Sequence, residues 1–154
     1  MQQRHVGNLD DFRKYGLIRA LSTGGRLKTG ICWMLTEAAG SETAHFEYLD
    51  NPDTWRRCDP RLFDILKALV DSGDSGTEAV EKARVVPGAV CFREVIPSDA
   101  DERLAVLSRV AEAMDHQTPL FFMDPQVGLE IPSVPRGRKR SETYLYFDEA
   151  KLFY

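Results

Sequence analysis

The stretch FFMDPQVGLEIPSVPRGRKR, Phe121 to Arg140, decides which fold this chain is expected to adopt. An apolar run from Pro119 to Met123 predicts a buried strand, which ends at Asp124 and Pro125. A carboxylate directly after a buried strand lies at the carboxyl edge of a parallel sheet, where ligands bind in open α/β folds. The sequence therefore places a functional site at Asp124 before any activity is considered.

The composition indicates one soluble globular domain, and we expect a single α/β domain over residues 1–154. The chain is 43% hydrophobic and 29% charged, and its net charge of −4 neither favours nor excludes nucleic acid. Three widely spaced cysteines give no disulfide framework and no zinc motif, which favours a cytoplasmic protein. The N-terminus is polar, and no apolar run approaches the roughly 20 residues of a membrane span, so no membrane partner is expected.

Helical and strand patterns alternate along the chain. Asn8 predicts the cap of a helix that runs to about Ser22, Asp59-Pro60 predicts the start of a second helix, and Ser98 opens a third. This alternation favours β-α-β units and a Rossmann-like, mostly parallel sheet with helices on both faces. The predicted strands are Thr29–Leu35, Ala44–Leu49, Val85–Phe92, Pro119–Met123 and Glu142–Phe147.

The segment GNLDDFRK, Gly7 to Lys14, places Asn8, Asp11 and Lys14 on neighbouring turns of the first helix. From spacing alone, an ordinary capped helix with an i,i+3 ion pair explains these residues.

The same segment also carries a resemblance. RHVGNLDDFRKYGLIRAL resembles the N-terminus of the J family of adenine-N6 methyltransferases that modify large-subunit ribosomal RNA, because Gly7, Asn8, Asp11 and Lys14 match its Gly-Asn-x-x-Asp-x-x-Lys signature. The resemblance implies S-adenosylmethionine as cofactor, with Asn8, Asp11 and Lys14 on the cofactor side. It also implies a methyltransferase-like fold that acts on a nucleic-acid base.

The Asp124 segment resembles the Asp-Pro-Pro-Tyr motif of the same family. Asp124 and Pro125 match, whereas Gln126 and Val127 replace the second proline and the aromatic residue. The resemblance implies a catalytic set of Asp124, Pro125, Gln126 and Glu130, in which Asp124 accepts a hydrogen bond from the acceptor amino group. Gln126 can hydrogen-bond a base, but Val127 lacks the stacking face that base-flipping enzymes use.

The loop after the first predicted strand, Thr36 to Glu42, consists of small and polar residues. In the resembling family, a small-residue loop at this place lets the backbone approach the cofactor. Thr36 and Gly40 are therefore the cofactor-binding residues that the resemblance implies here.

Several motifs over most of the chain are similar to those of an uncharacterised bacterial and phage family. Because members of both families continue beyond this point, we expect a shortened methyltransferase-like sheet, whose exposed edge favours a homodimer. The matching residues are Asp124, Pro125, Gly128, Leu129, Glu130, Gly137, Lys139, Tyr144, Tyr146, Asp148 and Glu149.

The segment PRGRKR predicts phosphate contact beside the carboxyl edge. Arg136, Arg138, Lys139 and Arg140 would bind an RNA or DNA backbone, and Tyr144 would stack on a base. A solvated loop is the alternative for these cations, and a core position is the alternative for Tyr144.

Two other functions use the same residues. One is a non-catalytic nucleic-acid-binding or accessory protein of the same fold. The other is a magnesium-dependent nuclease, in which Asp124 and Glu130, with Glu149 as an optional third carboxylate, hold the metal and Lys139 orients water. The sequence thus favours methyl transfer and leaves enzymatic activity open.

Overall fold

The structure is a computed structural model that describes residues 6–37, 45–74, 76–114 and 118–153. The described chain divides into two compact units. The helical unit comprises residues 6–27, 45–74 and 76–89, and the sheet unit comprises residues 28–37, 90–114 and 118–153.

Four helices and one 3-10 turn build the helical unit. The two long helices begin at the predicted caps: the Asn8 side chain accepts from the Asp11 amide, and the Asp59 side chain accepts from the Leu62 amide. Gly73, at φ 72°, ends the second long helix in the left-handed conformation. The helices are α1 (Leu9–Leu21), α2 (Pro52–Trp55), α3 (Pro60–Ser72) and α4 (Thr77–Lys82), and the 3-10 turn is Glu47–Asp50.

An aromatic cluster forms the core of the helical unit. The ring centroids of Phe12 and Tyr48 lie 5.4 Å apart, and Phe63 and Trp55 meet both rings edge to face. The predicted strand Ala44–Leu49 is wrong over its described part, because residues 47–50 form the 3-10 turn. Tyr48 and Leu49 are consecutive and both buried, which a turn against this cluster permits and a strand with alternating faces does not.

A three-stranded sheet organises the sheet unit. Its strands are β1 (Thr29–Cys32), β2 (Ala89–Phe92) and β3 (Leu120–Met123), in the order β2-β1-β3. β1 and β3 are parallel, with Thr29 opposite Leu120 and Cys32 opposite Met123. The structure therefore confirms three of the predicted strands in shorter form.

Helix α5 (Ala100–Ala113) begins one residue later than predicted, since Asp99 rather than Ser98 caps it. Its Leu107 and Val110 pack into the core of the sheet unit with Cys32, Ile96 and Leu145. Within β1, Gly30 is needed for close packing, because a Cβ atom there would lie 2.5 Å from the Phe121 ring.

The C-terminal segment departs from the predicted strand Glu142–Phe147. Residues 141–143 form a 3-10 turn, β5 (Tyr144–Leu145) pairs in parallel with β4 (Gly128–Leu129), and α6 (Phe147–Ala150) follows. The strand ends early because the Glu149 carboxylate accepts from the Tyr146 amide at 3.1 Å and starts a helical turn. The fold is mixed α/β with a small parallel sheet. No helix among the described residues is long and apolar enough to cross a membrane.

Candidate functional site

The strand order of the small sheet reverses at β1. The chain leaves β1 for β2 on one side of it and then returns to β3 on the other side. A parallel bridge between Leu35 and Val95 extends the β1–β2 side beyond the strands. In open α/β sheets, ligands bind outside the carboxyl ends of the strands at such a reversal.

Three of the sequence-predicted site residues meet at this edge. The Asp124 amide donates to the Cys32 carbonyl at 2.9 Å, which fixes the turn after β3. The Thr36 hydroxyl donates to the Gln126 side-chain oxygen at 3.0 Å, which joins the segments after β1 and β3. Asp124 is only 5% exposed, so its carboxylate lies below the surface. Gly40, the other residue predicted in the first loop, lies outside the described residues.

The carboxylates of Glu94 and Asp124 both affect the pKa of the Cys32 thiol. Burial and, to a smaller extent, the negative charges of Glu94 and Asp124 raise the pKa of Cys32 to about 12. Cys32 is therefore a neutral thiol and a core residue. Acidic groups from the segments after β2 and β3 thus converge around the carboxyl end of β1.

A cavity of about 630 Å³ opens at the carboxyl side of β1 and β2. Its apolar wall includes Val95, Ile96, Pro97 and Val106. Its polar lining carries four carboxylates and one guanidinium, so its net charge favours a cationic ligand. These polar residues are Glu37, Ser98, Asp99, Glu102, Arg109 and Glu142.

Sequence reasoning missed this cavity because its lining comes from three separate parts of the chain. The signal that could have indicated it is the Ser98-Asp99 helix start that follows a predicted strand, since such starts face the carboxyl edge of a parallel sheet.

In the helical unit, the Gly-Asn-x-x-Asp-x-x-Lys motif builds the start of α1. The buried Asp11 side chain accepts from the amides of Gly7 at 3.0 Å and Asn8 at 3.4 Å. Lys14 Nζ lies 3.1 Å from Asp11 Oδ1. Gly7, at φ 115°, adopts a conformation that L side chains rarely reach. The capped-helix interpretation is confirmed, and cofactor contact by Asn8, Asp11 and Lys14 stays a prediction.

The motif Tyr-x-Tyr-x-Asp-Glu surrounds a buried arginine of the sheet unit. Arg103, with 0% exposure, forms a bidentate ion pair with Glu149, in which Nη2 lies 2.9 Å from Oε2. It also donates to the carbonyls of Ser141 at 3.1 Å and of Tyr144. Charge and hydrogen-bonding capacity are thus matched inside the core, and α5 is fixed to the C-terminal segment.

Arg136 extends this buried cluster to the surface. Its guanidinium pairs with Asp148, lies 3.4 Å from Glu149 Oε1 and covers the Tyr146 ring at 4.9 Å. The hydrogen bond from Arg136 lowers the pKa of Asp148. Arg136 therefore contacts carboxylates, and the prediction of phosphate contact fits it less well than its three neighbours. Tyr144 is buried with 6% exposure, which leaves its ring no open face for a base.

The remaining basic residues of the loop are exposed. Within the described chain, no ion pair involves the side chains of Arg138, Lys139 or Arg140. Glu130 is partly buried, and its carboxylate accepts from the Phe147 amide at 3.1 Å.

Glu149, the optional third carboxylate of the nuclease alternative, is held by Arg103. Among the residues with described positions, no three His, Cys, Asp or Glu side chains form a group that could hold a metal ion. Comparison with protein-family models, with curated proteins and with solved structures found no match to this chain.

Proposed function

We propose that this chain is an S-adenosylmethionine-dependent methyltransferase-like protein of Rossmann-like fold that acts on a nucleic-acid base. One observation carries the proposal: Asp124, Pro125 and Gln126 lie at the reversal point of the sheet, where Gln126 is hydrogen-bonded to Thr36 after β1. In parallel sheets, this is the edge where a reacting group and a cofactor can be brought together.

The cavity at the carboxyl side of β1 and β2 supports the cofactor. A volume of about 630 Å³ lies within the range of roughly 300–1,000 Å³ that small-molecule sites occupy. S-adenosylmethionine carries an ammonium, a sulfonium and one carboxylate, and the four carboxylates and single arginine of the lining match those charges in sign. The apolar wall, with Ile96 and Val106, suits an adenine ring. The residues present therefore fit the cofactor.

When bound, S-adenosylmethionine supplies an activated methyl group, and the protein positions the acceptor. Asp124 would accept a hydrogen bond from the acceptor amino group and so orient its lone pair. The Gln126 side-chain oxygen accepts from Thr36, which directs the amide NH₂ of the same side chain to other acceptors, such as a base. Pro125 fixes the turn between them, and Glu130 supports the following segment through the Phe147 amide.

A second candidate is a nucleic-acid-binding or accessory protein of this fold without methyl transfer. Two observations favour it: Val127 offers no aromatic ring beside Asp124, and Arg136 is bound by carboxylates. Both candidates share the basic residues Arg138, Lys139 and Arg140 as phosphate contacts. They differ in whether the turn formed by Asp124, Pro125 and Gln126 takes part in a reaction.

Transfer of a tritiated methyl group from S-adenosylmethionine to mixed RNA and mixed DNA distinguishes the two candidates. We expect incorporation by the unchanged chain and a loss of about 100-fold or more in Asp124→Asn, since that change removes a charged acceptor at the reacting group. Asp74→Asn, at an exposed position of the helical unit, serves as the matched control. Binding of the methyl donor without incorporation into either polymer would contradict the proposal and favour the second candidate.

A further inference from the structure

An apolar surface begins directly after the turn formed by Asp124, Pro125 and Gln126. Val127 and Leu129 are each 54% exposed, Ile131 is 40% exposed, and Phe147 is 57% exposed. These four residues, which we call the 127–147 surface, lie around the paired strands β4 and β5. Large apolar side chains with this exposure are unusual when they cluster, and such clusters mark binding surfaces.

The Phe147 end of this surface is held in place by the buried ion-pair cluster. The Glu130 carboxylate accepts from the Phe147 amide at 3.1 Å, which ties Phe147 to the residue that follows β4. Tyr146 and Asp148, the neighbours of Phe147, are both bound by Arg136. Phe147 is therefore an exposed aromatic ring on a rigid backbone.

The same contacts place the start of the basic loop near this ring. Arg136 is the first residue of the basic loop, and it pairs with Asp148, which directly follows Phe147. The loop is also fixed at its far end, where the Ser141 hydroxyl donates to the Ser98 carbonyl at 3.1 Å. Arg138, Lys139 and Arg140 are exposed and add three positive charges. Of the carboxylates around Phe147, Asp148 and Glu149 are paired with arginine, and Glu130 accepts from the Phe147 amide.

We infer that the 127–147 surface, together with Arg138, Lys139 and Arg140, binds single-stranded nucleic acid. Phe147 stacks on an unpaired base, and the three cations contact its phosphates. An aromatic ring beside exposed cations is the combination by which proteins bind single strands, because every base has a stacking face and every linkage a negative charge. The inference rests on the proposed function and names the form of its substrate.

Charge complementarity decides between nucleic acid and another protein as the occupant. An apolar protein partner would use Val127, Leu129 and Ile131, but it would gain nothing from three neighbouring cations. A polyanion with flat apolar bases uses both. The surface also begins at Val127, next to Gln126, so a strand bound there leads toward the proposed acceptor position at Asp124.

Fluorescence anisotropy with labelled oligouridine and oligothymidine about 15 nucleotides long tests the inference. We expect Phe147→Ala to weaken binding about tenfold to a hundredfold and Phe147→Tyr to retain it, since stacking needs a ring at this position. Changing Arg138 and Lys139 to serine and Arg140 to asparagine should weaken binding and reduce its dependence on salt. Asparagine is chosen at position 140 because the backbone there has φ 75°.

Matched controls lie in the helical unit. Leu17→Ala removes an apolar side chain of similar exposure, 59%, and Arg57→Ser with Arg61→Ser removes two exposed cations. Unchanged affinity in Phe147→Ala, or an equal loss in the controls, would overturn the inference. So would a Phe147→Ala variant that alters only self-association in sedimentation. Single-strand binding that depends on Phe147 in a chain that fails to bind S-adenosylmethionine would uphold the inference and remove methyl transfer.

Discussion

The sheet unit contains two groups of charged residues that differ in burial and in partners. Arg103 and Glu149 are buried, paired with each other and hydrogen-bonded to surrounding carbonyls. Arg138, Lys139 and Arg140, which precede Glu149 by nine to eleven residues, are exposed and lack ion pairs within the described chain. Charged residues whose hydrogen bonds are satisfied inside the fold explain stability, whereas exposed cations are the ones available to a ligand.

Removing one partner of the buried pair should have the largest effect on stability. We expect Arg103→Ala to lower the free energy of unfolding by about 3–5 kcal/mol, because Glu149 is left buried without its counter-charge. Urea denaturation measures the change. Arg56→Ala, which breaks the exposed pair with Asp64, is the matched control and should have little effect. Equal stability of Arg103→Ala and the unchanged chain would show that this cluster is not structural.

In the helical unit, the Gly7–Lys14 motif also allows a buried charged side chain to be compared with a more exposed one. We expect Asp11→Ala to cost about 1–2 kcal/mol, because it removes the side chain that caps the first amides of α1. Lys14→Ala, at a partly exposed residue, should cost less. Thermal unfolding of both variants gives the comparison. If Lys14→Ala abolished S-adenosylmethionine binding at unchanged stability, the motif would serve the cofactor as well as the helix.

The buried and the exposed cysteines should differ in their reactivity toward thiol reagents. At pH 8, we expect a thiol reagent to label the exposed Cys58 rapidly and to leave Cys32 unlabelled until the chain unfolds. Burial raises the pKa of Cys32 to about 12, so its reactive thiolate is scarce at that pH. Peptide mass spectrometry after timed labelling identifies the sites. Fast labelling of Cys32 in the folded chain would contradict its buried position in the core.

The smallest effect is expected at the surface end of the buried cluster. The pKa of Asp148 is lowered in the folded state by the hydrogen bond from Arg136, so its contribution to stability is present above its ordinary pKa of about 3.9. That contribution is lost as the pH falls through the lowered value. Because the side chain is 59% exposed, Asp148→Asn should cost less than about 1 kcal/mol at pH 7. The cost should shrink at pH 3, and a constant difference in unfolding free energy between the two pH values would argue against the pair.

Local signals in the sequence predicted the elements that depend on local chemistry. Asn8 and Asp59 cap helices as expected, and the run before Asp124 is a strand that ends at the sheet's carboxyl edge, although its four residues are half-buried rather than buried. The strand expected at 44–49 failed because contacts with Phe12 and Phe63, far apart in sequence, outweigh the local pattern. The strand expected at 142–147 is shortened to Tyr144–Leu145, because Glu149 binds the Tyr146 amide and Arg103, which lies 46 residues away.

The candidate site was predictable in part for the same reason. Asp124 and Gln126 follow a recognisable strand, so the sequence predicts that they lie at the carboxyl edge of the sheet. It also predicts that Thr36 follows the first strand. The acidic cavity could not be predicted from the sequence, because Glu37, Glu102 and Glu142 come together only through the topology of the sheet and α5. The exposure of the Phe147 ring could not be predicted either, because the exposure of an aromatic residue in an alternating pattern depends on which face the fold covers.

Calorimetric titration of S-adenosylmethionine and S-adenosylhomocysteine tests the central claim, that the carboxyl edge of the small sheet is a cofactor site. We expect micromolar binding that weakens in Glu102→Gln, whose side chain lines the cavity. We expect no change in Glu112→Gln, an exposed glutamate of the same helix that does not line the cavity. No heat of binding at millimolar concentrations of either compound, or equal binding by both variants, would contradict the assignment.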